Sequence, residues 1–165
     1  MVNRRQFLRG DFRGKGSPVR PPWALEENRF LELCTVCNKC IDACEESILI
    51  KAGGNYPAVD FKRGECTFCK SCVDSCQSGA LAYSETAWEL ALDISDSCLA
   101  KSSVVCSVCG EQCETRAIRF KPAPGCVAQP EISQLLCSGC GACIQYCPSQ
   151  SITLLNEQNR EGSSI

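Results

Sequence analysis

CTVCNKCIDAC, residues 34–44, is the stretch that decides the fold of this 165-residue chain, because its cysteine spacing recurs. The same C-x2-C-x2-C-x3-C pattern is found in CTFCKSCVDSC, residues 66–76, and in CSGCGACIQYC, residues 137–147. A partial copy, SVVCSVCGEQC at residues 103–113, has Ser103 in the place of the first cysteine. Internal repeats of this kind indicate a chain built from similar small units.

The spacing predicts [4Fe–4S] clusters, because it is the ligand spacing of bacterial-type ferredoxins. Three thiolates from one tight loop can reach three irons of a compact cluster. The fourth cysteine follows on a helical turn and points toward a neighbouring cluster, so two-cluster ferredoxins exchange it between motifs. Zinc is the main rival, but structural zinc sites usually combine two separated cysteine pairs. We therefore favour iron–sulfur clusters.

The complete motifs supply the predicted cluster ligands. These are Cys34, Cys37, Cys40, Cys44, Cys66, Cys69, Cys72, Cys76, Cys137, Cys140, Cys143 and Cys147. With exchange, Cys76 completes the cluster of the first motif and Cys44 completes that of the second. A local assignment, in which each motif keeps its own fourth cysteine, uses the same ligands. Three clusters follow from the complete motifs.

A fourth cluster is a hypothesis, because the third motif has only Cys106, Cys109 and Cys113. Cys98 lies just upstream and can replace the missing ligand. The fourth cluster would then be held by Cys98, Cys106, Cys109 and Cys147, with Cys113 completing the cluster of the last motif. Cys126 is the alternative replacement, although we favour a free buried thiol for it.

Composition argues against an enzyme. The chain has 17 cysteines and no histidine, which excludes His-based metal sites and Ser/His or Cys/His nucleophiles. A cluster with four cysteine ligands has no open coordination site, and the sequence has no glycine-rich phosphate loop. The acidic pairs Glu26-Glu27 and Glu45-Glu46 are interpreted as solvated helix starts rather than catalytic carboxylates.

The cysteine usage and the N-terminus predict a cytoplasmic protein. The cysteine count is odd, and Arg4-Arg5 is not followed by the apolar segment of an export signal. No run of residues approaches the length of a transmembrane helix, and cysteine motifs in a reducing compartment favour metal over disulfides. Residues 1–20 carry six basic side chains and one acidic, whereas the rest is acidic, which argues against nucleic-acid binding.

The pattern predicts an α+β fold of two tandem bacterial-type ferredoxin-like modules, each with short strands and helices around two clusters. Predicted boundaries are a flexible basic arm at 1–22, module 1 at 23–84, a linker helix at 85–97, module 2 at 98–155 and a tail at 156–165. A short helix is predicted within Trp23–Leu33 and an amphipathic packing helix over Glu85–Ile94. Strands are predicted at Ile48–Lys51, Ala58–Phe61, Ala80–Tyr83, Ala117–Phe120 and Ile152–Leu155.

Segments outside the cysteine motifs carry a family resemblance. The chain resembles the NapF family of ferredoxin-type accessory proteins of the periplasmic nitrate reductase system. The resemblance runs through Arg4-Arg5, Arg20–Trp23, Gly54–Val59, Ala87-Trp88, Ser97–Ala100, the incomplete third motif and Cys137–Cys143. Cys126 departs from the family pattern.

The resemblance implies a monomeric cytoplasmic iron–sulfur protein. Its implied partner is NapA, the molybdenum-containing catalytic subunit, and its implied task is maturation of NapA before twin-arginine export. The alternative is a soluble ferredoxin that donates electrons to a reductase. Because Arg4, Arg5, Phe7 and Leu8 imitate a twin-arginine motif, they are candidate partner-binding residues; the alternative for them is a solvated basic arm.

Overall fold

The computed structural model describes residues 18–156 of the chain. The helices are α1 (Glu27–Leu33), α2 (Lys39–Asp42), α3 (Ser71–Asp74), α4 (Val108–Glu111) and α5 (Ala142–Gln145), with 3-10 turns at Gly53–Asn55 and Gln134–Leu136. The strands are β1 (Leu49–Lys51), β2 (Pro57–Val59), β3 (Leu90–Ile94), β4 (Ile118–Ala123), β5 (Cys126–Ile132) and β6 (Ile152–Asn156). This mixture of short helices and strands confirms the predicted α+β class.

Two antiparallel hairpins follow the cysteine loops. In the first, β1 pairs with β2, with Leu49 opposite Val59. In the second, β4 pairs with β5 from Ile118 opposite Ile132 to Ala123 opposite Cys126. The sequence predicted strands near β1, β2 and β4, whereas β5 was not predicted.

The predicted linker helix at 85–97 is wrong. Leu90–Ile94 is strand β3, which pairs antiparallel with the C-terminal strand β6. Leu90, Leu92 and Ile94, at every second position, are buried on one face of the strand; on the other face Ala91 is buried and Asp93 is exposed. The side-chain amide of Gln134 bonds both the N–H and the carbonyl of Leu92 and so covers the other edge of β3.

Two smaller boundaries also differ from the sequence predictions, whereas the first helix lies within the predicted range Trp23–Leu33. It begins at Glu27, where the carboxylate of Glu26 accepts from the N–H of Asn28. The strand predicted at Ala80–Tyr83 is only an isolated bridge between Ala24 and Leu81.

The arm boundary at residue 22 is wrong as well, because Pro21 is among the fully buried side chains. Residues 1–17 and 157–165, which include most of the predicted arm and tail, lie outside the described residues.

Two apolar cores divide the described chain into a first half, residues 18–84, and a second half, residues 85–156. The first core contains Trp23, Phe30, Ile48 and Leu81 together with cysteines. The second core, built on β3, β4 and β6, also contains cysteines and takes in Phe61 from the first half. No helix within residues 18–156 is long and apolar enough to cross a bilayer.

Candidate metal centre

Sixteen of the cysteines gather in four groups of four, which we call sets I to IV. Set I is Cys34, Cys37, Cys40 and Cys76; set II is Cys44, Cys66, Cys69 and Cys72; set III is Cys113, Cys137, Cys140 and Cys143; set IV is Cys98, Cys106, Cys109 and Cys147. Sets I, II and IV each line a cavity, with empty volumes of about 330, 360 and 300 Å³. Each of these three cavities is therefore lined by all four cysteines of one set.

The fourth cysteine of each motif lies with the first three positions of its partner motif. Cys76 lines the cavity of set I and Cys44 lines that of set II. In the second half, Cys147 lines the cavity of set IV, and Cys113 is close enough to raise the pKa of Cys137. The structure therefore groups the thiols in the exchanged arrangement and not in the local one.

Cys98 occupies the place that the third motif lacks. It is buried, and its carbonyl accepts from the N–H of Ser102 at 3.0 Å, which closes a turn that points into the second core. Ser103, which stands at the position of the missing cysteine, is exposed. Cys126 is also exposed, at the start of β5 and outside the cavities of sets I, II and IV, so the predicted buried position of this thiol is wrong.

The loops of the complete motifs share a backbone conformation. Each has two residues with positive φ between its first three cysteines, which are Val36 and Asn38, Phe68 and Lys70, and Gly139 and Gly141. Alternation of left-handed with right-handed residues turns successive N–H groups inward, and such concavities bind anions, including many iron–sulfur clusters. A β-branched valine and a bulky phenylalanine at positive φ are strained, and strain of this kind gathers at functional sites.

The third motif lacks this loop. Ser107, at the position equivalent to Asn38, has a φ of −133°, and Val105 does not have a positive φ either. All four motifs agree after the fourth cysteine, where the third residue on has a positive φ; these residues are Ser47, Gly79, Arg116 and Gln150. The third motif therefore shares the turn after the fourth cysteine with the other motifs, but its loop before the third cysteine has a different conformation.

Burial separates the thiols within each set. The third cysteine of every motif lies on a one-turn helix and is buried; these are Cys40, Cys72, Cys109 and Cys143. Burial, reinforced by the charges of neighbouring cysteines, raises the pKa of Cys40 and Cys143 to about 12. The exposed thiol of Cys37 instead has a lowered pKa, chiefly because the N–H of Lys39 donates to it. Buried thiols crowded in this way become thiolates when a metal deprotonates them.

The donor set fits a [4Fe–4S] cluster. Within residues 18–156, no three His, Cys, Asp or Glu side chains converge tightly enough to hold a single metal ion. The thiols of sets I, II and IV instead surround cavities, as ligands of a multi-atom group do. Each set has four thiols, which is the number of ligands that a [4Fe–4S] cluster takes. Concave loops of backbone N–H groups commonly surround such clusters and donate to them.

The acidic pairs take structural places. Glu26 caps α1, and the carboxylate of Glu27 receives two hydrogen bonds from Arg20, at 2.8 and 2.9 Å. Glu45 and Glu46 lie in a turn after α2, so the predicted helix start is wrong for them, and both line the cavity of set II. The candidate partner-binding residues Arg4, Arg5, Phe7 and Leu8 lie outside the described residues.

Comparisons with known proteins agree with this site. Residues 130–153 match the family model of the 4Fe-4S binding domain. The chain is 43% identical over 153 residues to ferredoxin-type protein NapF of Escherichia coli K12, covering 92% of this chain and 93% of the relative. It is 42% identical over 169 residues to NapF of Haemophilus influenzae, covering 96% of each. Ferredoxin-type protein NapG of E. coli K12 is 29% identical over 157 residues, covering 82% of this chain and 68% of NapG.

The fold, the cysteine spacing and the matched domain together define a ferredoxin-type 4Fe–4S iron–sulfur protein. Identity above 40% over nine-tenths of the chain then identifies the particular family. The chain belongs to the NapF family of ferredoxin-type proteins, which confirms the resemblance predicted from the sequence.

Proposed function

We propose that each of sets I to IV holds one [4Fe–4S] cluster, in two tandem ferredoxin-like modules. The observation that carries this proposal is the gathering of sixteen cysteines into four groups of four, three of which each line one cavity. When bound, such clusters supply one-electron redox chemistry. In this role the buried third cysteines anchor each site to its core, and the exposed Cys37 and Cys69 form the solvent-facing rim.

The biological task that we propose is maturation of NapA, the catalytic subunit of periplasmic nitrate reductase, by a monomeric and non-enzymatic protein in the cytoplasm. Membership of the NapF family, with the whole-length match to two NapF proteins, supports this task. The ligand sets support the non-enzymatic role, because four cysteines per cluster leave no position open for substrate. A ferredoxin that only donates electrons to a reductase is the competing function.

The metal content is tested on protein purified without air. We expect about sixteen irons and sixteen acid-labile sulfides per chain, since each of four [4Fe–4S] clusters has four of each. About twelve of each would mean that set IV stays empty and would reduce the proposal to three clusters. Zinc in place of iron, without labile sulfide, would overturn the proposal.

The partner is tested by immobilising the cluster-loaded chain and offering two forms of NapA. A maturation factor retains the cluster-free, signal-bearing NapA and releases the mature enzyme, whereas an electron carrier binds both forms briefly. The same experiment with a chain lacking residues 2–16 tests the arm. A matched variant, Arg4→Gln with Arg5→Gln, keeps the length of the arm and most of its charge. Unchanged retention in both would remove the arm from the interface.

The cytoplasmic location is tested by cell fractionation without overexpression. We expect the iron–sulfur protein in the fraction that holds signal-bearing NapA. Recovery from the periplasm with mature NapA would contradict a role before export.

A further inference from the structure

Sets II and III meet at the contact between the two halves. The main-chain N–H of Cys66, in set II, donates a hydrogen bond to the carbonyl oxygen of Cys140, in set III, with an N-to-O distance of 2.8 Å. The halves are therefore bonded through ligand-bearing residues themselves and not only through the connecting segment.

Each half has one further contact between its own two sets. Helix α2, which carries Cys40 of set I, packs against α3, which carries Cys72 of set II. In the second half, α4 with Cys109 of set IV packs against α5 with Cys143 of set III. Together with the contact between sets II and III, these pairs arrange the four sets in the order I–II–III–IV.

Phe61 and Gly141 fit the two halves together. Phe61 belongs to the first half but is buried in the second core. A Cβ atom at Gly141 would overlap the ring of Phe61, and the φ of Gly141 is +85°. Only glycine meets both conditions, since it has no Cβ and adopts positive φ without strain. Gly141 directly follows Cys140, so the ring of Phe61 lies against the loop of set III.

Trp88 completes this contact, which we call the junction. Its ring lies edge-on to Phe61 at 5.7 Å and to Phe68 at 5.8 Å between ring centroids. Phe68 lies in the loop of set II, and a Cβ atom at Gly139, in the loop of set III, would be 3.5 Å from the Trp88 ring. One aromatic side chain thus packs on both loops, and edge-to-face aromatic pairs of this kind favour a fixed geometry.

We propose that the junction holds sets II and III as fixed neighbours, so that the four sets form one unbranched series and the two halves act as one redox unit. Gly141 and Phe61 are its positioning residues. This inference rests on the proposed function, in that sets II and III must hold clusters. It goes beyond that function, because two modules joined only by a linker would hold the same four clusters as two independent units.

Pulsed dipolar EPR on the intact, cluster-loaded protein tests the series. The sample is reduced with dithionite to about two electrons per chain, so that pairs of reduced clusters give distances. We expect a short interspin distance across the halves in addition to those within each half. Gly141→Ala, which lies in the loop of set III, should lose or lengthen that component and leave the distance within the first half, between sets I and II, unchanged. Gly125→Ala is the matched control, because Gly125 has a φ of +70° but nothing within 4 Å of its Cβ position.

The iron content of each sample separates this inference from the proposed function. Wild-type protein with about sixteen irons but no short distance across the halves overturns the series and leaves the four clusters intact. Protein without iron overturns both. If Gly141→Ala does not fold or has less iron than the wild type, Phe61→Leu, which removes the ring and keeps the loop of set III intact, should weaken the same component at full iron content. Loss of the component in Gly125→Ala to the same extent would also overturn the role of Gly141.

Discussion

Sets I and IV differ in how their first ligand reaches the cavity. In set I, Cys34 comes from the same tight loop as Cys37 and Cys40, and the loop has two left-handed residues. In set IV, Cys98 arrives from a separate turn after β3, and the loop before Cys109 lacks those residues. The other ligands are held in the same way in both sets, by a one-turn helix and by the exchanged fourth cysteine.

This difference shows which part of the repeat is interchangeable. The third and fourth cysteines depend on local backbone, since the short helix and the positive-φ turn follow the motif wherever it occurs. The first cysteine only has to reach the cavity. Strand β3 is fixed by its pairing with β6, and the turn after Ile94 packs against the second core. Cys98 in this turn therefore lies at the cavity of set IV.

Removal of iron is expected to have the largest effect on this comparison. Anaerobic chelation should unfold the first half most, because both cores contain buried cysteines but the paired strands β1 and β2 of the first half have three residues each, whereas the strands of the second half have five to seven. Because such sites do not form in the unfolded chain, the free energy of metal binding contributes directly to the free energy of folding. Hydrogen exchange should show loss of amide protection in residues 18–84 first and in the β4–β5 hairpin last.

A matched sample that is chelated and then reloaded with iron and sulfide should recover both protection and colour. Metal-free protein that keeps full protection in residues 18–84 would show that the first core stands without its clusters. The contrast between the halves would then be lost.

Substitution of Cys98 has the next largest effect. Cys98→Ala should lower the iron content by about four per chain, from set IV alone, because it removes the ligand that the third motif lacks. Cys126→Ala is the control and should keep all its iron, since Cys126 is exposed and outside the cavities of sets I, II and IV. Iron is measured per chain without air.

A second variant asks whether the ordinary motif can replace the rebuilt one. Cys98→Ala combined with Ser103→Cys restores the sequence pattern, but residue 103 is exposed, and neither Val105 nor Ser107 has the positive φ of its counterpart in the complete loops. The iron of set IV should therefore stay absent. Recovery of that iron would mean that a cysteine at position 103 can bind the cluster and that the loop changes its conformation when it does.

Arg20 is expected to contribute to the free energy of unfolding through one partly buried ion pair with Glu27. Its guanidinium donates to both carboxylate oxygens of Glu27 and lies 5.0 Å from the centre of the Phe30 ring. Only 12% of its side chain is exposed, compared with 30% for Glu27. Arg20→Leu should destabilise the first half by about 2 kcal/mol, which is below the roughly 3–5 kcal/mol for breaking a fully buried pair, because both side chains are partly solvated.

The control for Arg20 lies on α1. Arg29 pairs with Glu32, and both side chains are more than half exposed. Arg29→Leu should therefore change the stability by less than about 1 kcal/mol. Anaerobic denaturant titration of both variants gives the comparison, and equal losses would mean that burial of the Arg20 pair has no consequence.

The sequence predicted the cysteine loops and three of the four hairpin strands because local spacing determines them. It did not predict β3, because Leu90, Leu92 and Ile94 fit a strand while the surrounding Trp88 and Ala91 also fit a helix. Pairing with β6, some sixty residues later, decides between them, and a single sequence does not reveal such a distant partner. Strand β5 was missed because Pro130 interrupts its pattern.

The candidate site was more predictable than the fold around it. The grouping of Cys98 with Cys106, Cys109 and Cys147 followed from counting ligands against motifs. The junction was not predictable, because Phe61 and Gly141 are eighty residues apart and only the packed structure brings them together. In the sequence, the junction is marked only by Gly139 and Gly141 in the last motif. The turns of a ferredoxin loop would explain these glycines equally well.

The smallest effect tests the loops themselves. Val36 is held at a φ of +56° in the loop of set I, whereas Val105, in the third motif, is 86% exposed and does not have a positive φ. A β-branched residue in the left-handed region costs about 1–2 kcal/mol, which glycine does not incur. Part of that gain is offset by the greater freedom of glycine in the unfolded chain. Val36→Gly should therefore stabilise the protein by about 0.5–1 kcal/mol.

Val105→Gly should have the opposite sign, because it adds unfolded-state freedom without relieving strain, and should destabilise by about 0.5 kcal/mol. Anaerobic denaturant titrations of the two variants, with iron content matched to wild type, measure the difference. If Val36→Gly stabilises and Val105→Gly destabilises the protein, then the left-handed conformation of Val36 costs free energy in the loop of set I, and cluster binding offsets this cost. A Val36→Gly variant as destabilised as Val105→Gly would mean that the valine side chain contributes more by packing than its backbone conformation costs.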